Sequence, residues 1–170
     1  MKSFKCAFVL ICSLFISVVS FSAVLSPLGY WKQYSDGTGQ LQSLIKIWRS
    51  KKGDLRGTVV AGYAMNGKAP GLYCVKCPGP FHNKRIVGQT ILWGLQYQNG
   101  YWQDGHILDP NSGSIYHAQL RLLDNGNKIS ARGYIGISLF GRSQTWVRVP
   151  ANQLNALMKK AYPQPKKMSL

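Results

Sequence analysis

An all-β domain, an antiparallel barrel or sandwich, is what this sequence predicts, and two observations carry the prediction. The first is the block 105–149, whose strand-like runs are punctuated by Asp109-Pro110-Asn111-Ser112-Gly113 and Asp124-Asn125-Gly126-Asn127. Proline supplies a fixed φ and glycine a free one, so such stretches reverse the chain. Between and after them, Tyr116–Leu123 and Ile129–Ile135 mix β-branched, aromatic and polar residues as half-buried strands do. The second observation is that the same rhythm of strand and turn runs upstream, with no convincing amphipathic helix to interrupt it.

In chain order, Gly29–Tyr34 opens the sheet and Asp36-Gly37-Thr38-Gly39 turns it. Leu41–Arg49 follows. Successive side chains alternate between faces, so Ile45 and Ile47 share one face while Leu44, Lys46 and Trp48 share the other. Lys51-Lys52-Gly53-Asp54 leads into Leu55–Ala61. The longest irregular segment, Gly62–Arg85, is rich in glycine and proline and holds Cys74 and Cys77. Loops of that length in compact domains are functional or disordered, and a bridge between the two cysteines argues for order. Ile86–Gln96 resumes the sheet, Asn99-Gly100 signals a tight hairpin, and Tyr101–Leu108 returns. With Ser143–Val149 the count reaches seven or eight strands. After Pro150, Gln153–Tyr162 reads as a short helix with Leu154, Leu157, Met158 and Ala161 at helical spacing. The expected division is a leader over 1–22, one β-domain over 23–150, and a C-terminal helix and tail over 151–170.

The leader is read from Lys2 and Lys5, followed by an almost uninterruptedly apolar run from Cys6 to Val19. Ser20 and Ser22 place small residues where signal peptidase needs them, so the mature chain is expected to begin at Ala23. A spanning helix needs roughly 20 apolar residues, more than this run offers. The expected address is the periplasm or the outside of the cell.

Charge narrows the partners. Without Lys2 and Lys5 the chain keeps 19 lysines and arginines against five aspartates and no glutamate, a formal charge of about +14. Such a field attracts polyanions, among them anionic lipid and lipopolysaccharide surfaces. The basic residues are scattered rather than run together, and export sits badly with nucleic acid, so a nucleic-acid role is not expected. A small apolar ligand is the other expected partner, and the protein is expected to be a monomer.

Cys74-Val75-Lys76-Cys77 admits three readings. In an oxidising compartment the pair forms a small disulfide ring that stiffens a loop. A thioredoxin-like redox site would want a βαβ context, and Pro70, Gly71, Pro78, Gly79 and Pro80 make this a loop. A Cys2His2 metal set would need His82 with His106 or His117, at spacings that do not demand it. The expectation is the disulfide, with no metal and no cofactor.

Catalytic signals are thin. Asp36, Asp54, Asp109 and Asp124 sit in turns, and Asp104 with His106 is the only suggestive pair, sharing a strand face. No nucleophile elbow, phosphate loop or dinucleotide fingerprint is present, so no enzyme is expected. The aromatics Trp48, Tyr63, Tyr73, Trp93, Tyr97, Tyr101 and Trp102 are enough either to line a pocket or to fill a small barrel. An interior cavity of several hundred Å³ would separate those outcomes.

A set of spaced motifs adds a family resemblance. They are Gly29-x-Trp31, Gly57-x-Val59, Ile86-Val87-Gly88-x-x-Ile91, Gly105-x-Ile107-x-Asp109-Pro110-x-x-Gly113-x-x-Tyr116, Arg132-Gly133-Tyr134-x-Gly136 and Gly141-Arg142-x-x-x-Trp146-x-Arg148. In this order the chain resembles the exported bacterial family called domain of unknown function 2147, over nearly all of 29–149. The resemblance implies a single antiparallel lipocalin-like β-barrel with no established activity. Many members carry an Asp and an Asn-Pro in the long loop where this chain has its two cysteines. In such a barrel Gly29 lets the chain bend at the bottom, Trp31 plugs it, and Arg148 or Arg142 lies across the indole. Trp31, Gly133, Trp146 and Arg148 are expected to close the barrel, and Arg132, Tyr134 and Arg142 to lie beside that closure or a ligand.

Overall fold

The computed structural model describes residues 25–164, so the leader expected over 1–22 lies outside them. Eight strands form a closed antiparallel barrel in simple sequence order. They are β1 (Gly29–Tyr34), β2 (Leu41–Arg49), β3 (Leu55–Gly62), β4 (Thr90–Gln98), β5 (Tyr101–Leu108), β6 (Ile115–Leu123), β7 (Lys128–Tyr134) and β8 (Gly141–Arg148), followed by helix α1 (Ala151–Lys159). Closure rests on a short pairing of β1 with β8, Trp31 with Arg148 and Lys32 with Val147. That pairing removes the edges at which another chain could add.

Strand boundaries agree with the sequence reading where turn residues are strongest. Asn99 and Gly100 both take positive φ (51° and 84°), the mirror-image turn that matches strand twist. The clearest departure is Ile86–Gly88, expected in β4. Gly88 takes φ 95°, which breaks the extended run, and the strand begins at Thr90. The helix also differs, starting earlier and stopping earlier than Gln153–Tyr162. Pro150 is extended at φ −61° and ψ 145° and starts the helix at Ala151.

The alternation of β2 sends Ile45 and Ile47 into the barrel with Trp31, Leu92, Leu120, Ile129 and Trp146. Leu44, on the opposite face, is fully buried as well, because α1 covers the outside there. Leu154, Leu157 and Ala161 pack against Leu44, Ala61, Tyr63 and Val149, whereas Met158 is exposed. The Tyr63 hydroxyl donates to the Leu157 carbonyl at 3.0 Å, and burial raises its pKa.

Up-and-down topology sorts the connections. The turns at 50–54, 99–100 and 124–127 lie at one end with the start of β1 and the end of β8, and the loops 35–40, 63–89, 109–114 and 135–140 lie at the other. At the short-turn end, Asp54 is 5% exposed. It accepts from the Ser50 hydroxyl, from Arg56 Nε at 2.9 Å and from the Gly94 amide at 3.2 Å. The Ser50 hydrogen bond leads these contacts in holding the carboxyl below its ordinary value, against the opposing effect of burial. The stability contributed by Asp54 is therefore complete above about pH 4, the unfolded-state value, and is lost as pH falls through the lower folded value. Asp54→Asn should cost about 2 kcal/mol at neutral pH and should flatten the acid limb of the stability curve. Parallel acid limbs for wild type and variant would show that another group is linked.

Candidate functional site

The short-turn end is shut by Trp31 and Arg148. Trp31 is fully buried at the base of the interior, and its indole N–H donates to the Pro27 carbonyl at 2.9 Å. The Arg148 guanidinium carbon lies 4.3 Å from the Trp31 ring centre. Its three nitrogens donate to the carbonyls of Gly126 (2.6 Å), Leu28 (3.0 Å) and Ser26 (2.6 Å). One arginine thus ties the N-terminal segment and the β6–β7 turn over the indole, with a favourable cation–π contact beneath. Partial burial lowers its pKa. Gly29 sits at φ 125°, and a Cβ there would approach Arg148 Nη1 to 3.3 Å. Arg142, the other arginine considered for this position, is at the opposite end, paired with Asp36 at 2.7 Å.

At the long-loop end the interior stays open as a cavity of about 760 Å³. Its apolar wall includes Val59, Ile91, Ile107, Leu108 and Trp146. Facing this is a polar network. Ser43 Oγ donates to Gln33 Oε1 at 2.6 Å and Gln33 Nε2 to Gln144 Oε1 at 3.1 Å. Gln144 Nε2 donates to Asp36 Oδ2 at 2.7 Å, the same oxygen that pairs with Arg142. Trp146 Nε1 reaches Gln144 Oε1 at 3.4 Å. The cavity is apolar with one polar seam, a lining that suits a ligand with an apolar body and a polar group.

The aromatics weighed in the sequence do not fill this space. Tyr63 lies under α1, and Trp102 packs into the core, with the exposed Tyr97 ring tilted against it at 4.8 Å between centres. Trp48 donates to Thr58 Oγ1 and carries Arg56 over its ring. Trp93 belongs to a row that crosses the sheet, Phe81–Trp93–His106–His117–Tyr134, with successive ring centres 5.2–5.7 Å apart. His106 and His117 are spent in that row, and His82 lies 3.2 Å from the Cys77 carbonyl. Among the described residues no three His, Cys, Asp or Glu side chains group as a metal site. The suggested Asp104–His106 pair is not assembled either. The β5–β6 ladder shifts register between Trp102 and Gly105, Asp104 takes φ 62°, and its carboxylate accepts from Gln98.

Two motifs singled out in the sequence meet at the open end. Asp109 accepts from the Asn111 amide and the Ser112 hydroxyl, holding its own turn. Onto that turn packs the Cys74–Cys77 segment, joined as a disulfide with Cα atoms 5.4 Å apart. Cys74 Sγ lies 3.4 Å from the Pro110 carbonyl oxygen. Gly113 lies against the Lys76 carbonyl so closely that a Cβ there would fall 2.0 Å from it. Both cysteines are buried. Iodoacetamide should therefore leave this pair unlabelled in the native protein, and Cys77→Ser should cost about 2 kcal/mol or less, since the closed loop is short. Rapid labelling of the native protein would show a free pair instead.

Of the remaining motif residues, Tyr116 and Gly133 line the cavity. Arg132 turns away from it: Nε and Nη2 donate to the Ser138 carbonyl at 2.9 and 2.5 Å, and Nη1 to Ser143 Oγ at 3.0 Å. Gln33, Ser43 and Gln144 escaped the sequence reading. Strict alternation from Trp31 to Gln33 and from Trp146 back to Gln144 was the signal that could have found two of them.

Residues 29–148, most of the chain, match the family model described as "Uncharacterized protein conserved in bacteria (DUF2147)". The chain belongs to that family. Among solved structures it is similar to protein HP1028 from the human pathogen Helicobacter pylori, described as belonging to the lipocalin family. The TM-score is 0.66 at 14% identity, covering 83% of this chain and 93% of that one. The shared feature is the fold, a lipocalin-like barrel. Among curated proteins, the ribosomal RNA large subunit methyltransferase G of two Pseudomonas aeruginosa strains is 30% identical over 108 residues. That stretch is 61% of this chain and 29% of the methyltransferase, so the chain spans under a third of the length of these relatives.

Proposed function

We propose that this DUF2147 barrel is an exported carrier or sensor that holds a small apolar or amphipathic ligand in its open cavity. The observation that carries the reading is the cavity itself, about 760 Å³, shut at one end by Trp31 and Arg148 and unfilled by the other aromatics. Its volume falls in the range typical of small-molecule sites, roughly 300–1,000 Å³. The seam of Gln33, Ser43, Gln144 and Asp36 supplies the few polar groups that would orient a ligand, and Val59, Ile91, Ile107 and Leu108 supply apolar area. Burial of both cysteines and their packing on the 109–113 turn favour a structural staple over thiol exchange.

Burial of apolar area contributes roughly 25 cal/mol per Å² and does not depend on screening. The test is titration of a fluorescent fatty acid or other apolar probe at about 0.1 M and about 1 M salt, where the Debye length drops from about 10 Å to about 3 Å. Binding that survives high salt and is weakened by Ile107→Gln supports the cavity. Binding that vanishes at high salt would assign it to the basic exterior. Native mass spectrometry of protein taken from its own cells reports any ligand that copurifies.

A further inference from the structure

Between β7 and β8 the chain exposes four large apolar side chains in six residues. Ile135 is 69% exposed, Ile137 61%, Leu139 76% and Phe140 71%. Such residues scattered singly would need no explanation, but a contiguous group on one loop marks a contact surface. The loop is built in this posture. Arg132 grips the Ser138 and Leu139 carbonyls from below, and the Phe140 amide donates to the Ile137 carbonyl at 3.1 Å. With the loop's carbonyls drawn toward β7, its apolar side chains are left facing outward. Ile135 and Phe140 also line the mouth of the cavity.

Charge says what they face. Lys68, Lys76 and Lys84 lie in the loops of this end, all exposed. Of the two aspartates there, Asp36 is paired with Arg142 and Asp109 is consumed by its own turn. The whole chain carries +16. An apolar tip at the end of the barrel that also carries exposed cations fits an anionic bilayer, with the side chains at the headgroup–acyl boundary and the cations among the headgroups.

We propose that the Ile135–Phe140 loop docks the open end of the barrel on an anionic membrane and sets the cavity mouth against the lipid. This surface stands apart from the cavity reading, since docking requires no ligand inside.

The experiment is sedimentation with vesicles of phosphatidylcholine containing about 30% phosphatidylglycerol, at low and high salt. The full mature chain is compared with Leu139→Ser/Phe140→Ser, and with Met158→Ser as an exposed apolar control away from the loop. Wild type should bind, retain a salt-resistant fraction, and lose at least about ten-fold in partition in the double variant, with Met158→Ser unaffected. Phe140→Trp should add a blue-shifted emission component with the vesicles, quenched by brominated lipid. The proposal is overturned if the double variant partitions like wild type, or if all wild-type binding disappears at high salt. It is also overturned if the double variant converts a wild-type dimer to monomer without changing vesicle binding, which would give the loop to a second copy. The replaced side chains are exposed, so thermal unfolding should be unchanged, and Ile137→Ser serves if it is not. Apolar-probe binding without vesicles should be equal in wild type and in Ile137→Ser/Leu139→Ser, whose side chains are not among those lining the cavity; a wild type that binds vesicles but no probe would count against the cavity and leave the docking surface standing.

Discussion

Trp31→Ala should lower the unfolding free energy by about 4 kcal/mol, the middle of the range for a buried aromatic truncated to alanine. The side chain is fully buried, contacts the base of the core, donates to Pro27 and carries Arg148 above it. Truncation removes apolar burial, leaves a void, and takes the ring from under a partly buried guanidinium. Trp31→Phe keeps the plug but loses the indole N–H and part of the π surface, so its cost should be about half as large. Urea unfolding followed by circular dichroism measures both. A double-mutant cycle with Arg148→Met should give a coupling of about 1 kcal/mol for the stacked pair. A cost below about 1 kcal/mol for Trp31→Ala would show that the short-turn end is closed by the backbone ties of Arg148 alone.

Gly113→Ala should cost at least about 3 kcal/mol, large for the addition of one methyl group. Two effects add. The residue sits at φ 79°, where an L side chain costs about 1–2 kcal/mol. Its Cβ would also fall 2.0 Å from the Lys76 carbonyl oxygen and 3.1 Å from the Cys77 nitrogen. The obstacle is backbone, and it belongs to the ring closed by Cys74 and Cys77, so it cannot swing aside as a flexible side chain would. Gly37→Ala, with nothing within 4 Å of its Cβ position, is the matched control and should be nearly neutral. In a Cys77→Ser background the cost of Gly113→Ala should shrink by about 1 kcal/mol, because the opened segment can yield. Strict additivity would show that the ring is not what resists.

These two positions illustrate how far local signals reach. Gly113 was legible as a turn glycine from Asp109-Pro110-Asn111-Ser112-Gly113, yet the reason only glycine fits is the Lys76 carbonyl, 37 positions away in the chain. Trp31 and Arg148 were legible as a candidate pair, and Arg142 was equally plausible on composition. Register decided between them, since β1 pairs Trp31 with Arg148 and leaves Arg142 at the far end. Asp36 read as a turn former because of Gly37 and Gly39, and its partners Arg142 and Gln144 arrive from β8. The Ile135–Phe140 loop adjoins the strand read over Ile129–Ile135; Gly136 at φ 68° and the Phe140–Ile137 backbone hydrogen bond turn the chain there, and Arg132 holds the loop's carbonyls from β7.

By itself, the sequence determined the antiparallel strands, their order and most of their turns. Alternation with a period of two, and the φ preferences of Gly, Asn and Pro, act within a few residues and need no partner. It also determined the strong positive charge. Closure into a barrel was implied only through the family resemblance. The tertiary structure alone decided which faces are covered, with Leu44 sealed by α1 on the outside while Ile45 and Ile47 point in. It also decided that the aromatics leave about 760 Å³ open. Burial and emptiness are sums over contacts between strands distant in sequence, so no local pattern can encode them.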